Sequence, residues 1–172
     1  DGLSIALAGF SQKNYQVLAY KTFPYPSILS KKLTHAAELK TPELSLLNVE
    51  LGIFFAKKTQ EFLKKLKHPL TLPSPQKRGE GNAFLPLPLG EGWGEGITVI
   101  GSHGHTVFHA GDQKTPHTFQ IGEPSYLAES LGIPVVSDFR PRDIAAGGNG
   151  APLIPFFDQY FWGDKVRALQ NI

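Results

Sequence analysis

Ile97-Thr98-Val99-Ile100, running straight into Gly101-Ser102-His103-Gly104-His105-Thr106, is the stretch on which the fold turns. Four apolar or β-branched residues in a row read as a strand buried on both faces of a central sheet. The polar run after them reads as the loop leaving that strand's carboxyl end. Downstream the order repeats: Pro124 to Leu131 has helical character and is closed by Gly132, and Ile133-Pro134-Val135-Val136-Ser137 is a second buried strand followed at once by Asp138. Strand, polar loop, helix, strand, polar loop is the order of an open α/β sheet, where ligands collect beyond the carboxyl ends of the strands. Both polar loops are the expected place of a site.

Working outward toward the amino end, residues 3 to 10 and 15 to 23 are rich in strand formers and flank Ser11-Gln12-Lys13-Asn14, which predicts a β-hairpin. Pro24 and Pro26 stop the second strand, and Ser27 to Lys40 carries Ile28, Leu29, Leu33, Ala36, Ala37 and Leu39 at mixed helical spacing, which predicts a short helix. Thr41-Pro42-Glu43 is a helix start: a hydroxyl to cap free N–H groups, a proline for the first turn, and an acid at the positive end of the dipole. Leu44, Leu47, Leu51, Phe54, Phe55, Phe62 and Leu66 then recur at three- and four-residue steps, so a long helix buries one stripe, and most of the lysines between 57 and 67 fall on its solvated face. Toward the carboxyl end, Gly147-Gly148-Asn149-Gly150 precedes a helix start over Pro152 to Phe161.

Between these two parts the composition changes to Pro, Gly, Leu and Glu over 68–96, with Leu72-Pro73-Ser74-Pro75 echoed by Leu85-Pro86-Leu87-Pro88. Proline-rich sequence of this kind does not sustain helix or ladder pairing, so 68–96 is expected to be an inserted low-complexity loop, with 1–67 and 97–172 forming one lobe. Asp1 stands directly against an apolar alternation and Ala168 to Ile172 reads as an unfinished strand, so both ends are expected to be cuts in a longer sequence.

The chain has 172 residues, of which 41% are hydrophobic and 19% charged, too much to bury for a disordered protein despite 18 Gly and 14 Pro. Seventeen Lys and Arg against fifteen Asp and Glu leave a net charge of +2, which argues against a nucleic-acid partner. Cysteine is absent, which excludes disulfides, thiol nucleophiles and Cys-based metal centres and suits a reducing compartment. No apolar run approaches the roughly 18 residues a membrane span needs. A soluble, cytoplasmic protein with no membrane partner is expected.

Three clusters carry candidate chemistry. His103, His105, His109 and His117 form an H-x-H-x3-H-x7-H series that a carboxylate such as Asp112 would complete as a metal site; against this, no two histidines have helical i, i+4 spacing and side chains diverge at a strand end. The expectation is no metal, with Ser102, His103 and Gly104 shaping a turn. Gly147 to Pro152 puts flexible backbone ahead of a helix N-terminus, which suits an anion or a sugar hydroxyl and equally a plain glycine turn. Asp138-Phe139-Arg140-Pro141-Arg142-Asp143, with no helix or strand expected to spread it, either grips a substrate carboxylate through Arg140 and Arg142 or satisfies its own charges.

Read in series, Ile100 to His109, Thr118-Phe119-Gln120-Ile121-Gly122-Glu123, Val135 to Arg140 and Asp143 to Pro155 resemble one family, the anhydro-N-acetylmuramic acid kinases. The resemblance is close over 97–172, looser over 1–67, and leaves out 68–96. It implies an α/β fold, an actin-like ATPase (ribonuclease H-like) sugar-kinase lobe with a mixed sheet and flanking helices, incomplete in this chain. It implies ATP, with Mg, as the cofactor, and an amino-sugar substrate whose 1,6-anhydro ring is opened by water as O6 is phosphorylated, a step of peptidoglycan recycling. Asp1, Gly2, Leu3 and Ser4 would be the tail of the family's Gly-Thr-Ser-x-Asp-Gly-x-Asp phosphate loop, with Ser4 in place of the last acid. Pro141 stands where the family has a third basic residue. The family's Asp-Thr-Gly-Pro-Gly-Asn segment, with the aspartate that activates water, would lie beyond Ile172, so no catalytic residue is assigned here. Gln120, Arg140, Arg142 and Asn149 are the candidate substrate contacts. The chain is then expected to be an N-terminal fragment, inactive alone and partnered by a missing C-terminal lobe; the alternative is a non-enzymatic remnant disrupted by insertion and truncation.

Overall fold

A computed structural model describes residues 2–11, 14–66 and 96–163; Asp1, nearly all of the 68–96 segment, and 164–172 lie outside the described residues. Apolar alternation on either side of the first turn produces β1 (Gly2–Phe10) and β2 (Tyr15–Pro24), antiparallel with Leu3 opposite Phe23 and Phe10 opposite Tyr15. The register shifts between Leu7 and Ala8: Leu7 faces Ala19 while Ala8 faces Val17, so Leu18 is the extra residue of a β-bulge. Because side chains alternate across a strand, the bulge turns Val17 and Tyr15 to the face opposite the one that holds Ala19.

Pro26 ends the strand and α1 (Ser27–Thr34) follows, with a short 3₁₀ turn at Ala36–Glu38. The long helix α2 runs over Thr41–Lys64. Its start differs in one detail from the sequence reading: the cap residue is Lys40, whose backbone N–H donates to the Glu43 carboxylate at 3.1 Å, and Thr41 is already inside the helix. Leu47, Leu51, Phe55 and Phe62 are buried on the expected stripe, and Leu44, Phe54 and Leu66 pack at its edge.

Past the segment outside the described residues, the chain forms β3 (Ile100–Gly101), β4 (His105–Ala110), β5 (His117–Ile121), α3 (Ser125–Leu131), β6 (Val135–Val136), α4 (Phe139–Ala145) and α5 (Ile154–Trp162). β3 and β6 pair in parallel, Ile100 beside Val135, as a strand–helix–strand unit requires. Three expectations are corrected. The two apolar runs are not long buried strands of one central sheet: each contributes two residues to a two-stranded sheet, and Val99 and Val136 are about half exposed, 51% and 50%, because no further strand or layer covers them among the described residues. The polar stretch after Gly104 is not a plain loop but the β4–β5 hairpin, Phe108 opposite Phe119. Phe139 to Asp143 does lie on a helix, α4, with Asp138 as its cap residue and its proline in the first turn, where the missing N–H costs nothing.

The architecture is mixed α/β with small sheets. One core joins them: Leu47, Leu51 and Phe55 of α2 meet Leu127 and Leu131 of α3, Ile121 of β5 and Ile133, with Phe23, Leu29, Leu33 and Ala36 at the hairpin side. Gly52 permits the approach of α2 to the turn after β5, since a Cβ there would lie 2.6 Å from the Glu123 carbonyl oxygen.

Candidate functional site

At the carboxyl ends of β3 and β6 lies a polar cleft of about 210 Å³. Ser102, His103 and Gly104 line it from the β3 side, Ser137 and Asp138 from the β6 side, Gln120 to Pro124 from β5 and the turn beyond, and Asn48 from α2. The position is the one the strand–loop–helix–strand order predicts.

Each wall is held by specific bonds. Asn48 clamps the turn after β5: its side-chain oxygen accepts from the buried Gly122 N–H at 2.7 Å, its side-chain amide donates to Glu123 at 3.3 Å, and its backbone carbonyl accepts from the Glu123 N–H at 3.1 Å. The Ser125 hydroxyl and amide also donate to Glu123, at 2.6 and 3.2 Å, and hold its carboxyl below the ordinary carboxylate range. Ser102 is buried and fixed by its N–H on the Val136 carbonyl at 2.8 Å. Asp138 is the one described non-glycine residue with positive φ, 58°, and its carbonyl accepts the Arg142 N–H at 2.9 Å as α4 begins. A left-handed L-residue costs about 1–2 kcal/mol, and such residues gather at sites where the surroundings enforce them.

Arg140 is the knot of the site. Its Nε donates to His103 Nε2 at 2.9 Å and its Nη1 to the Gly150 carbonyl at 2.8 Å. A guanidinium can only donate, so His103 Nε2 carries a lone pair and the ring proton sits on Nδ1, which donates to the Gly104 carbonyl at 3.1 Å. Asp143 accepts the Gly150 N–H at 2.7 Å, so the glycine loop folds back on α4. Its geometry requires glycine at Gly147 and Gly150, with φ of 94° and 73°. One arginine thus ties the loop after β3, the first turn of α4 and the glycine loop together.

Of the sequence-predicted substrate residues, Gln120 lines the cleft; its amide nitrogen donates to Thr118 at 2.7 Å, while its buried Oε1 has no partner among the described residues. Arg140 reaches the cleft through His103. Arg142 and Asn149 are exposed and do not line it. Gly2, Leu3 and Ser4 lie in β1, opposite Pro24, Phe23 and Thr22, and none lines the cleft; Asp1 is outside the described residues. Asn48, Glu123 and Ser137 were missed. The one available signal was Asn48, a polar residue set between Leu47 and Leu51 of an apolar stripe.

The four-histidine series is spread out: His105 and His109 lie on β4, four residues or about 13 Å apart along a strand. His103, His109 and His117 bond to Arg140, Thr118 and the Thr115 carbonyl respectively. Burial pushes the His105 pKa down, with His103 a second cause. Among the described residues no group of three or more His, Asp or Glu gathers to hold a metal ion, and no helix is long and apolar enough to cross a membrane.

The cleft thus offers hydroxyls, an imidazole, carboxylates and the Gln120 side chain around a small volume, a set suited to a ligand rich in hydroxyl and amide groups. Residues 90–172, which carry most of these groups, match the family model described as anhydro-N-acetylmuramic acid kinase. The whole chain aligns with curated proteins of that description: it is 33% identical over 178 residues to the one from Hydrogenovibrio crunogenus, of which it covers 41%, and 35% identical over 177 residues to the one from Haemophilus influenzae, of which it covers 40%. The relative from Mannheimia succiniciproducens is 33% identical over 179 residues, with 41% covered. By class, then, the chain resembles kinases and carries a polar cleft at the ends of its parallel strands. Along its whole length it aligns with members of the anhydro-N-acetylmuramic acid kinase family, and it spans about two-fifths of the length of the curated relatives it matches.

Proposed function

We propose that the chain is the N-terminal part of an actin-like (ribonuclease H-like) sugar kinase and supplies one wall of the site for 1,6-anhydro-N-acetylmuramic acid, working in the cytoplasm in peptidoglycan recycling. The observation that carries the reading is the polar cleft at the carboxyl ends of β3 and β6, lined by Ser102, His103, Gln120, Ser137 and Asp138, within the segment that matches the family model. The cleft volume, about 210 Å³, lies below the roughly 300–1,000 Å³ of complete ligand pockets, as one wall of a two-lobed site would.

In this reading Gln120 accepts from the sugar, Ser102 and Ser137 offer hydroxyls, and Asp138 presents its carboxylate from a backbone held in place by the start of α4. Arg140 positions His103 and the glycine loop; Arg142 and Asn149 are the outer contacts, made when the other lobe closes. Residues 68–96 are an insertion between α2 and β3 that leaves the cleft residues in place.

ATP, with Mg, is the phosphoryl donor of the family. Gly2, Leu3 and Ser4 do not by themselves fit its phosphates: all three are paired with β2, and the Ser4 hydroxyl is engaged by Thr22 at 2.9 Å and by Tyr20 at 3.0 Å. The chain alone is accordingly expected to bind sugar weakly and to turn over no ATP. Calorimetric titration with the anhydro-sugar tests the first part, with binding expected to be lost in Gln120→Leu; a coupled ADP-release assay tests the second. Turnover by the isolated chain that disappears in Arg140→Ala would overturn the reading.

A further inference from the structure

One face of the β4–β5 hairpin carries a row of polar side chains. Thr106 stands opposite Gln120 and His109 opposite Thr118, while Phe108 is opposite Phe119. The register shifts between Thr106 and Phe108, so Val107 is the extra residue of a β-bulge, and the bulge brings Thr106 and His109, three positions apart, to the same face. At one end of the row Gln120 lines the cleft. At the other, His109 reaches the glycine loop: a Cβ on Gly111 would run into the Asn149 carbonyl oxygen and would lie 2.9 Å from His109 Nε2, so the bare glycine makes room for both.

The hydroxyl of Thr118 joins the row, and its bonding capacity fixes the directions within it. A hydroxyl has one proton and two lone pairs. The proton goes to the Phe108 carbonyl at 3.2 Å, since a carbonyl can only accept. One lone pair accepts from Gln120 Nε2 at 2.7 Å. The other faces His109 Nδ1 at 3.1 Å, so that nitrogen is the donor and the neutral ring carries its proton on Nδ1. Gln120 Nε2 also donates toward Thr106 Oγ1 at 3.5 Å. Turning the Gln120 amide over would set its oxygen against a hydroxyl oxygen whose proton is already committed, two acceptors in contact.

We propose that Thr118 and His109 are positioning residues of the cleft: together they hold the Gln120 side chain in one orientation, with its amide nitrogen turned to the hairpin and withheld from the ligand. His109 blocks one of the three staggered directions open to the Thr118 proton, and the Phe108 carbonyl draws the proton into the second. The third is left for Gln120 to donate into. The inference rests on the reading of the cleft as a sugar site. There it means that Gln120 meets the ligand already oriented, without an ordering cost at the moment of binding.

The test uses the full chain, isotope-labelled, with 1,6-anhydro-N-acetylmuramic acid as the probe. Above the ordinary imidazole range, long-range proton–nitrogen correlation should find the His109 proton on Nδ1, and the Gln120 side-chain amide protons should exchange slowly with water. Thr118→Val should let the His109 proton move to Nε2, speed that exchange, and weaken sugar binding in an NMR titration roughly five- to tenfold, the scale of one or two lost neutral hydrogen bonds. Thr118→Ser keeps a hydroxyl and should preserve all three readouts. His109→Asn, whose amide puts a donor near the Nδ1 position, should bind as the unsubstituted chain does, and His109→Ala more weakly. A proton on His109 Nε2 in the unsubstituted chain overturns the proposal. So does unchanged affinity in Thr118→Val, or an equal loss in Thr118→Ser, since either leaves the hydroxyl without a role. If the unsubstituted chain binds no sugar while Thr118→Val alone shifts the tautomer and the exchange, the sugar reading falls and the positioning of Gln120 stands.

Discussion

Asn48→Ala removes the clamp between α2 and the cleft while leaving the apolar stripe intact. Two side-chain hydrogen bonds disappear: the 2.7 Å bond accepted from the Gly122 N–H and the 3.3 Å bond donated to Glu123. Gly122 is buried, so its amide is left without a partner and without water, at a cost of about 1–3 kcal/mol. The bond to Glu123 adds little, because that carboxylate keeps its two bonds from Ser125. A loss of about 2 kcal/mol is expected, or roughly 4–8 °C in the thermal midpoint for a chain of this size. Asn48→Asp separates the parts: it keeps an acceptor for Gly122 but sets a second carboxylate beside Glu123, so it should be less damaging than Ala in acid and lose that advantage as pH rises. Urea denaturation with amide exchange at Gly122 is the assay. A stability change within about 0.5 kcal/mol, or an unchanged exchange rate at Gly122, would refute the clamp.

Gly122→Ala places a Cβ 2.6 Å from Phe55 Cε2 at a φ of 112°; a backbone penalty of about 1–2 kcal/mol and an overpacking cost of about 1–3 kcal/mol should shift the urea midpoint sharply, with partial recovery in the Phe55→Leu background. Arg140→Lys replaces a fork by a single ammonium that cannot reach His103 and Gly150 together, so amide exchange at Gly150 should accelerate and sugar binding, where measured, should weaken by about tenfold. In acid the chain should lose stability in two windows. His105 has a lowered pKa in the fold, so the unfolded chain takes up the proton first as pH drops below the ordinary 6.5; Glu123 is also lowered, so its contribution is complete above the ordinary 4.5 and is lost as pH falls through the folded value. His105→Gln should flatten the upper window and Glu123→Gln the lower, and a stability curve flat through both would count against the assignments.

The elements that local periodicity controls were legible in the sequence: the β1–β2 hairpin, α2 with its buried stripe, and α3 closed by Gly132 in the left-handed region. What escaped depended on relations between distant residues. The Leu18 bulge lies inside a continuous apolar run, Val17-Leu18-Ala19-Tyr20, where no alternation marks it, yet it decides which face Tyr15 presents to α5. α4 was hidden because a seven-residue helix with two acids and two arginines at its start shows no apolar stripe, although its proline, in the first turn, removes an N–H that has no helical partner anyway. The β4–β5 hairpin was hidden because its strands carry His, Thr and Gln where buried strands carry Val and Ile.

The site divides in the same way. Gln120 and Arg140 could be singled out from their motifs, but their roles could not, because a motif gives a residue's chemistry and not the direction of its bonds. Arg140 spends two donors on His103 and Gly150 within the protein, and so acts on a ligand through the loops it holds. Asn48 sits 75 positions before its partner Glu123, beyond any local pattern. Its only trace is a polar side chain inside an otherwise apolar stripe, and a half-buried amide in such a place must find partners on the element that packs against it. On α2 that element is the turn after β5, so the position of Asn48 in the stripe marks where the long helix meets the cleft.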